Sequence, residues 1–304
     1  MKKVYMTILA LFAFVLTQAQ ITSKKGEPYL PESGDWSFGV DATPFLNYFG
    51  NFLSSNGNSA PTQNFLNANQ TIVGKYYASE TMAYRGILRV GFSSNNWTNS
   101  LAKYDTAQVL YPAMPAMVED KYTEKSSFIG IGGGIEWRRG HTRLQGYYGG
   151  DVMISFGGSS RSFEYGNQLN DSNYVTSVTS GFYGMSSSDT LPSFVNFTTD
   201  TYGNTARIIS QNDGSMFAFT LRGFVGAEYF IIPKISIAGE FGWGLTFASM
   251  GGSTTEIESV GNNGTDNVVG TQTIETNKHG GFRVDTDRNL TGTATGTLRI
   301  NFHF

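Results

Sequence analysis

The last sixteen residues of the chain, 289–304, alternate between two kinds of side chain. The apolar or small residues are Leu290, Gly292, Ala294, Gly296, Leu298, Ile300, Phe302 and Phe304, and the polar residues between them are Thr291, Thr293, Thr295, Thr297, Arg299, Asn301 and His303. A period of two predicts a β-strand with one apolar and one polar face. A strand of ~9–11 such residues is long enough to cross a membrane with its apolar face towards lipid. The fold must therefore accommodate a long, two-faced strand.

Residues 1–19 have the pattern of a cleaved secretory signal peptide. Lys2 and Lys3 precede an apolar run from Val4 to Leu16, and the small residues that follow provide a cleavage site before Gln20. This run is too short for a spanning helix, and no later segment reaches the ~18 continuous apolar residues that a spanning helix needs. We therefore expect the chain to be exported.

The composition favours β-structure and restricts the class of partner. The chain contains 37 Gly and 14% aromatic residues, as expected for tightly curved sheets with aromatic belts, and it contains no Cys. A disulfide framework and a lipid anchor on cysteine are therefore excluded. The formal net charge is −3, and removal of Lys2 and Lys3 with the signal peptide makes it −5. This mild negative charge argues against a nucleic acid as partner.

Seven further segments alternate in the same way. The clearest one places Tyr84, Gly86 and Leu88 on one face and Arg85 and Arg89 on the other. The predicted strands cover about 36–42, 71–78, 84–92, 129–137, 143–156, 217–229, 235–247 and 289–304. The connections between them alternate in length: 44–69, 94–123, 157–214 and 248–288 are long, whereas 79–81, 138–141 and the turn at Pro233 are short.

This pattern resembles the small outer-membrane β-barrels of the OmpA, OmpX and OmpW kind, over nearly the whole length after residue 19. The resemblance implies an all-β, transmembrane, antiparallel up-and-down β-barrel of eight strands, with short periplasmic turns and long extracellular loops. Residues 20–34 would form a short periplasmic arm and residues 35–304 the barrel. The signal peptide and the Asn/Ser-rich loops are similar to those of Bacteroidota outer-membrane proteins.

The resemblance also implies a location and partners. The chain would lie in the bacterial cell outer membrane in contact with lipid, and the barrel-insertion machinery would recognise Phe302 and Phe304. Ten strands are the alternative if Tyr174–Gly184 and Ser193–Tyr202 form an extra hairpin. A soluble, lipocalin-like barrel is a second alternative, and it would turn its apolar face inward.

Charged residues recur on the inward face of the predicted strands. The set is Asp41, Lys75, Arg85, Arg89, Glu136, Arg143, Asp151, Arg222, Glu228, Glu240 and Arg299. An eight-stranded barrel is just wide enough for side chains to fill it, and buried charges of opposite sign are expected to pair. The sequence therefore predicts a charge network in the lumen, which either closes the barrel or lines a narrow polar pore.

The predicted loops carry candidate contact and modification sites. The aromatic candidates for contacts with a partner are Phe45, Tyr48, Phe49, Phe52, Tyr183, Phe194 and Phe197, because large rigid rings make good anchors. Alternatively these rings pack on each other or enter the membrane interface. Thr106 and Thr190 lie in Asp-Thr-aliphatic triplets similar to the O-glycosylation pattern of Bacteroidota.

Catalytic motifs are sparse. His279 precedes Asp285 and Asp287, a faint likeness to the loop sites of outer-membrane proteases, but no nucleophilic serine motif accompanies them. The glycines at 130–134 precede no helix, so we interpret them as relieving crowding in a curved strand. We predict no enzyme, no cofactor and no metal site. The predicted role is structural or binding, with loops presented to an envelope protein or a polysaccharide. The alternatives are a porin-like barrel for small solutes, or a subunit of an envelope or secretion complex.

Overall fold

The computed structural model describes residues 23, 26–53, 60, 71–103, 112–114, 116–170, 197–286 and 297–304. Within these residues the chain forms β-strands and one helix. They are β1 (Trp36–Asp41), α1 (Thr43–Leu53), β2 (Ile72–Ser79), β3 (Met82–Ala102), β4 (Met117–Arg139), β5 (Leu144–Glu164), β6 (Phe197–Thr199), β7 (Thr205–Ile232), β8 (Ile235–Met250), β9 (Thr254–Asn262), β10 (Asn267–Glu275), β11 (His279–Thr286) and β12 (Thr297–His303).

The strands form an antiparallel sheet that closes into a ring. Hydrogen-bonded neighbours run in the order β7-β5-β4-β3-β2-β1-β12-β8, and β8 pairs in turn with β7. The two ends of the chain meet in this ring, because Ser37 pairs with His303 and Asp41 pairs with Arg299. The Phe304 N–H also donates to the Trp36 carbonyl oxygen at 2.9 Å. The predicted all-β, antiparallel class is thus confirmed, and the ring is compatible with a β-barrel.

Several strands are longer than the alternation predicted. The connections predicted at 94–123 and 157–214 were partly wrong, because β3, β4, β5 and β7 continue into them. Ser94 still pairs with Lys125, and Leu101 still pairs with Val118. Polar residues occupy both faces in these extensions, so the period of two disappears from the sequence although the backbone hydrogen bonds persist.

Residues 248–288 were predicted to be a long connection without strands. This prediction was wrong, because the segment contains β9, β10 and β11. Strands β6 and β9 pair with the first part of β7, and β10 pairs with β9. Together with the extensions of β3, β4 and β5 they form a region that we call the head. The head has its own buried apolar cluster, which consists of Tyr122, Phe163, Ala206, Ile208 and Ile257.

A helix replaces the first part of the loop that was predicted at 44–69. Asp41 Oδ1 accepts a hydrogen bond from the Thr43 N–H at 2.7 Å, and Leu46 N–H donates to the Ala42 carbonyl at 3.0 Å. Pro44 lies in the first turn, where a missing N–H is tolerated. These local bonds start α1 directly after β1, so this part of the loop prediction is corrected.

The short connections lie together at the end of the ring opposite the head, which we call the turn end. Glu80 and Thr81 link β2 to β3, and Pro233 and Lys234 link β7 to β8. Lys234 takes a positive φ of 71°, which is uncommon outside glycine and fits a tight turn. The turn predicted at 138–141 was partly wrong, because Arg138 and Arg139 are the last residues of β4.

Burial in the ring is the reverse of burial in a water-soluble domain. Within β4, Trp137 is 41% exposed, whereas the adjacent Arg138 is 1% exposed. The same inversion holds on the other strands. Buried inward residues include Ser37, Lys75, Arg85, Arg89, Glu136, Asp151, Arg222, Glu228, Glu240, Arg299, Asn301 and His303, and exposed outward residues include Phe38, Leu88, Val90, Phe92, Ile131, Val152, Ile154, Phe156, Phe217, Leu221, Trp243 and Phe247. The faces predicted from the alternation are therefore confirmed.

Aromatic residues on the outer face form two bands. Near the turn end, the Trp36 and Tyr76 rings are 4.8 Å apart, and Trp137 and Tyr148 are 5.8 Å apart. Nearer the head, the rings of Phe156 and Phe217 are 5.4 Å apart. The outward residues between the bands are mainly aliphatic, and on β5 the residues from Tyr148 to Phe156 join the two bands.

Candidate functional site

Nine charged side chains fill the ring near its turn end, and we call them the ion network. Its members are Lys75, Arg85, Glu136, Arg138, Asp151, Arg222, Glu228, Glu240 and Arg299, and none is more than 4% exposed. They come from β2, β3, β4, β5, β7, β8 and β12, so only the closed ring brings them together. Each of these side chains points inward because it occupies an alternate position on the polar face of its strand.

Glu240 is the centre of the half of the network nearer the head. Its Oε2 lies 2.9 Å from Arg85 Nη1 and 3.0 Å from Arg299 Nη1, and its Oε1 lies 2.7 Å from Arg222 Nη1. Asp151 adds a second carboxylate, 3.3 Å from the same Arg222 nitrogen. Three guanidinium groups therefore surround one buried carboxylate, an arrangement that is stable only while all partners are present.

Arg138 is the centre of the other half, nearer the turn end. Its Nη1 lies 2.6 Å from Glu136 Oε1, its Nη2 lies 2.7 Å from Glu228 Oε2, and its Nε donates to Gln145 Oε1 at 2.9 Å. Lys75 completes this half, with its Nζ 2.9 Å from Glu136 Oε2. Arg138 was predicted to lie in a turn, so its role in the ion network was missed. The alternation offered the signal, because Trp137 faces outward and its neighbour must face inward.

Three further polar side chains surround the remaining oxygen of Glu228. Asn301 Nδ2 donates to Glu228 Oε1 at 2.6 Å, Ser236 Oγ donates to the same oxygen, and His303 Nε2 lies 3.4 Å from it. Two of these groups belong to β12, so the strand that completes the ring also completes the network.

Aromatic rings and glycines shape the space around the cations. The Arg85 guanidinium lies 3.9 Å from the centroid of Phe224, within the range of a cation–π contact. A Cβ on Gly242 would lie 2.5 Å from Arg222 Nε, and one on Gly132 would lie 2.6 Å from the Val152 carbonyl oxygen. Gly132 thus supports the interpretation that glycines in β4 relieve crowding.

An apolar layer covers the ion network on the side that faces the head. Val73, Ile87 and Met153 are buried against each other, and Phe128 packs on them. On β2, β3 and β5 the interior therefore changes from charged to apolar within a few residues.

Three residues of the predicted charge network lie elsewhere. Arg89 is buried beyond the apolar layer, with its guanidinium 4.0 Å from the Phe128 ring centroid. Asp41 is buried at the end of β1, where it accepts the N–H of Thr43. Arg143 precedes β5 at the turn end, and its guanidinium lies 3.6 Å from the ring of Tyr29.

The aromatic contact candidates divide into two groups. Phe45, Tyr48, Phe49 and Phe52 lie on α1 and are exposed. Phe197 lies on β6 and packs against Leu169 and Val260 in the head, so it is not a free anchor. The candidates Tyr183 and Phe194, and the glycosylation candidates Thr106 and Thr190, lie outside the described residues.

The proposed insertion signal and the histidine candidates have clear positions. Phe302 and Phe304 are exposed on the outer face, and their recognition by other proteins stays a prediction. His279 begins β11, and Asp287 lies outside the described residues. In the part of the chain that the structure describes, no cluster of three or more His, Cys, Asp or Glu could hold a metal ion. No helix among those residues is long and apolar enough to cross a membrane.

A carboxylate organises a turn in the head. Asp200 Oδ2 accepts hydrogen bonds from Asn204 Nδ2 at 2.9 Å and from Ser259 Oγ at 2.7 Å. Its Oδ1 accepts the backbone N–H groups of Asn204 and Tyr202 at 2.8 and 2.9 Å. These bonds favour the ionised form and lower the pKa of Asp200 to about 2.

The lowered pKa predicts how this turn responds to acid. The stability from Asp200 is fully present above its ordinary pKa of about 4 and is lost as the pH falls through about 2. Hydrogen exchange of residues 200–204, corrected for the intrinsic rate at each pH, should be constant above pH ~4 and faster near pH ~2. Asp200→Asn should remove this dependence. The turn at Asn262, whose amide oxygen accepts the Gly264 N–H at 2.8 Å, is the control, and an equal change in both turns would contradict the assignment.

Comparison with known proteins found no match to this chain among family models, curated proteins or solved structures.

Proposed function

We propose that the protein is an integral outer-membrane β-barrel with a closed lumen, which displays a folded head at the cell surface and has a structural or binding role. The inverted burial of the ring is the observation that carries this proposal. Large apolar side chains such as Leu88, Ile131 and Phe156 are exposed outside, while Arg85, Glu136 and Glu240 are buried inside. Exposed apolar surface of this extent is unfavourable in water and favourable in contact with lipid.

The geometry of the wall supports membrane insertion. We infer that β1, β2, β3, β4, β5, β7, β8 and β12 form an eight-stranded transmembrane barrel. Two aromatic bands separated by an aliphatic zone match the girdles at the two interfaces of such barrels. Near the turn end the strands are tied to each other around the ring, so their backbone groups there find partners without water. Helix α1 adds the exposed apolar side chains of Phe49, Phe52 and Leu53.

The interior supports a closed lumen. The ion network occupies the ring from wall to wall, and the apolar layer of Val73, Ile87 and Met153 lies above it. A lumen of eight strands is just wide enough for its own side chains, which leaves ions no continuous path. The predicted charge network is therefore better explained as a closed core than as a pore.

The head supports a role at the cell surface. Short turns lie at one end of the ring and the head lies at the other, which matches periplasmic turns and extracellular loops. The head has its own buried cluster and exposes Tyr202, which is 84% accessible, on the Asp200 turn. We infer that this head is the part that meets an envelope protein or a polysaccharide.

Conductance across a planar bilayer tests the closed lumen. The wild-type protein should show no sustained conductance, because the paired charges fill the lumen. The quadruple variant Arg85→Ser, Glu240→Ser, Ile87→Ser and Met153→Ser should conduct, since it removes a pair of the ion network that meets at 2.9 Å and two side chains of the apolar layer above it. The double variant Lys121→Ser with Glu164→Ser, on an exposed pair in the head, should stay closed. Sustained conductance of the wild type would instead favour the small-solute transport barrel.

A further inference from the structure

An open groove of about 660 Å³ lies on the outer surface of the ring, directly beyond the aromatic band nearer the head. Residues of β3, β4, β5 and β7 line it. Each strand alternates between its two faces, so the outward-facing members of the lining can be read from the exposed wall residues below them. On β3, β4 and β5 they are Phe92, Ser94, Lys125, Ser127, Gly158 and Ser160.

Lys125 is the one cation in this groove. The two outward positions that follow the aromatic band are Ser94 and Asn96 on β3, and Gly158 and Ser160 on β5, and none of them is charged. The described residues that line the groove include no Asp and no Glu, and within the described chain Lys125 forms no ion pair. An unpaired cation in a groove without carboxylates attracts an anion.

Three hydroxyl groups surround this lysine. Ser94 and Ser160 lie directly opposite Lys125 on the two neighbouring strands, and Ser127 is the next outward residue of β4. Among the residues that the structure describes, these three hydroxyls have no hydrogen-bond partner, so each can donate to a ligand. An ammonium and several hydroxyls fit an anion with several oxygens, such as a phosphate group, because charge-assisted hydrogen bonds are the strong ones.

The position of the groove indicates what carries the phosphate. Ser127 pairs with Phe92, so Lys125 lies two residues, or ~7 Å along the strand, beyond the aromatic band. Phe92 and Phe156 in that band are 68% and 55% exposed. A lysine at this distance from an apolar surface can hold its ammonium at the level of lipid headgroups. A phosphate bound there would therefore continue most favourably into a hydrocarbon chain that covers the band.

We propose that this groove binds the phosphate of a lipid headgroup in the leaflet on the head side, with the phosphate on Lys125 and an acyl chain against Phe92 and Phe156. The outer face would then hold one lipid at a fixed place, in addition to its general contact with the bilayer. This inference rests on the proposed membrane insertion and deepens it by naming a lipid class and its site.

Native mass spectrometry of the full-length protein in a zwitterionic detergent tests the site. Phosphatidic acid is the probe, diacylglycerol has the same chains without the phosphate, and inorganic phosphate lacks the chains. Saturable binding is expected for phosphatidic acid and not for the other two. Lys125→Ala should weaken this binding by about 10-fold, because a hydrogen bond to a charged group is lost. Lys121→Ala is the matched control on the same face of β4, since Lys121 pairs with Glu164 at 3.8 Å, and it should bind like the wild type.

A second pair of variants leaves the lysine in place. Ser160→Glu puts a carboxylate directly opposite Lys125 and should weaken phosphatidic acid binding, whereas Ser100→Glu, the same change further along the exposed face of β3, should not. The proposal is overturned if the wild type does not bind phosphatidic acid, if diacylglycerol or inorganic phosphate binds equally well, or if either control variant weakens binding as much as its partner. Such a result would leave the membrane proposal standing, because an arginine at Leu221 tests insertion separately.

Discussion

Replacement of Glu240 by glutamine is expected to lower the free energy of unfolding by about 3–5 kcal/mol. The glutamine side chain keeps the size of the glutamate but removes its charge. Arg85, Arg222 and Arg299 would then face each other in a buried space, with Asp151 as the nearest remaining carboxylate. The loss is large because an uncompensated buried charge is much less favourable than the same charge in water.

Reversible urea unfolding in lipid vesicles, followed by tryptophan fluorescence, measures this change. Glu164→Gln is the matched control, because Glu164 pairs with Lys121 at 3.8 Å on the exposed surface of the head. Exposed pairs contribute about 0–1 kcal/mol, so the control should unfold almost like the wild type. Equal destabilisation by both substitutions would mean that the network is hydrated and that the interior of the ring is open.

Leu221→Arg is expected to cost about 2–4 kcal/mol in a bilayer. Leu221 is 41% exposed on the outer face of β7, and its cross-strand neighbours are Val152 and Leu245. An arginine there would lie against hydrocarbon between the two aromatic bands. In a water-soluble protein the same change on an exposed side chain would be nearly neutral, so this variant tests the membrane proposal directly.

Ser215→Arg provides the control for this variant on the same face of the same strand. Ser215 lies beyond Phe217, on the head side of the outer aromatic band, where an arginine should meet water or lipid headgroups. The cost of a charge decreases towards the interface, so Ser215→Arg should change stability by about 0–1 kcal/mol. A similar loss for both variants, measured by the same vesicle unfolding assay, would refute the assigned depth of Leu221.

The sequence alone predicted which way the wall residues face. The period of two placed Leu88 outward and Arg85 and Arg89 inward, and the burial of these side chains agrees. This prediction succeeds because successive Cβ atoms of a strand point to opposite sides, whatever lies around the strand. The same rule applied one residue further along β4 would have placed Arg138 inside, but the pair Arg138-Arg139 before a glycine was interpreted as a turn.

The strands of the head could not be predicted from the sequence, because their side chains do not alternate between apolar and polar. In the extensions of β3 and β4, both faces carry Ser, Thr, Asn and Lys, so no periodic signal marks them as strands. Their backbone groups pair because the neighbouring strand is already held in register by the ring below. Helix α1 was likewise missed, since its start depends on Asp41 capping the Thr43 N–H at the end of β1.

The sequence by itself determined the all-β class, the two faces of each wall strand and the identity of most of the inward charges. Only the tertiary structure decided which charges meet. Glu240 and Arg85 are 155 positions apart in the chain, and Glu228 and Arg138 are 90 apart, so closure of the ring alone sets their distances. The tertiary structure also separated Arg89 from the ion network, by inserting Val73 and Met153 from two other strands. Alternation is a property of one strand, whereas a network or a cavity depends on the register of several strands, which a single sequence does not display.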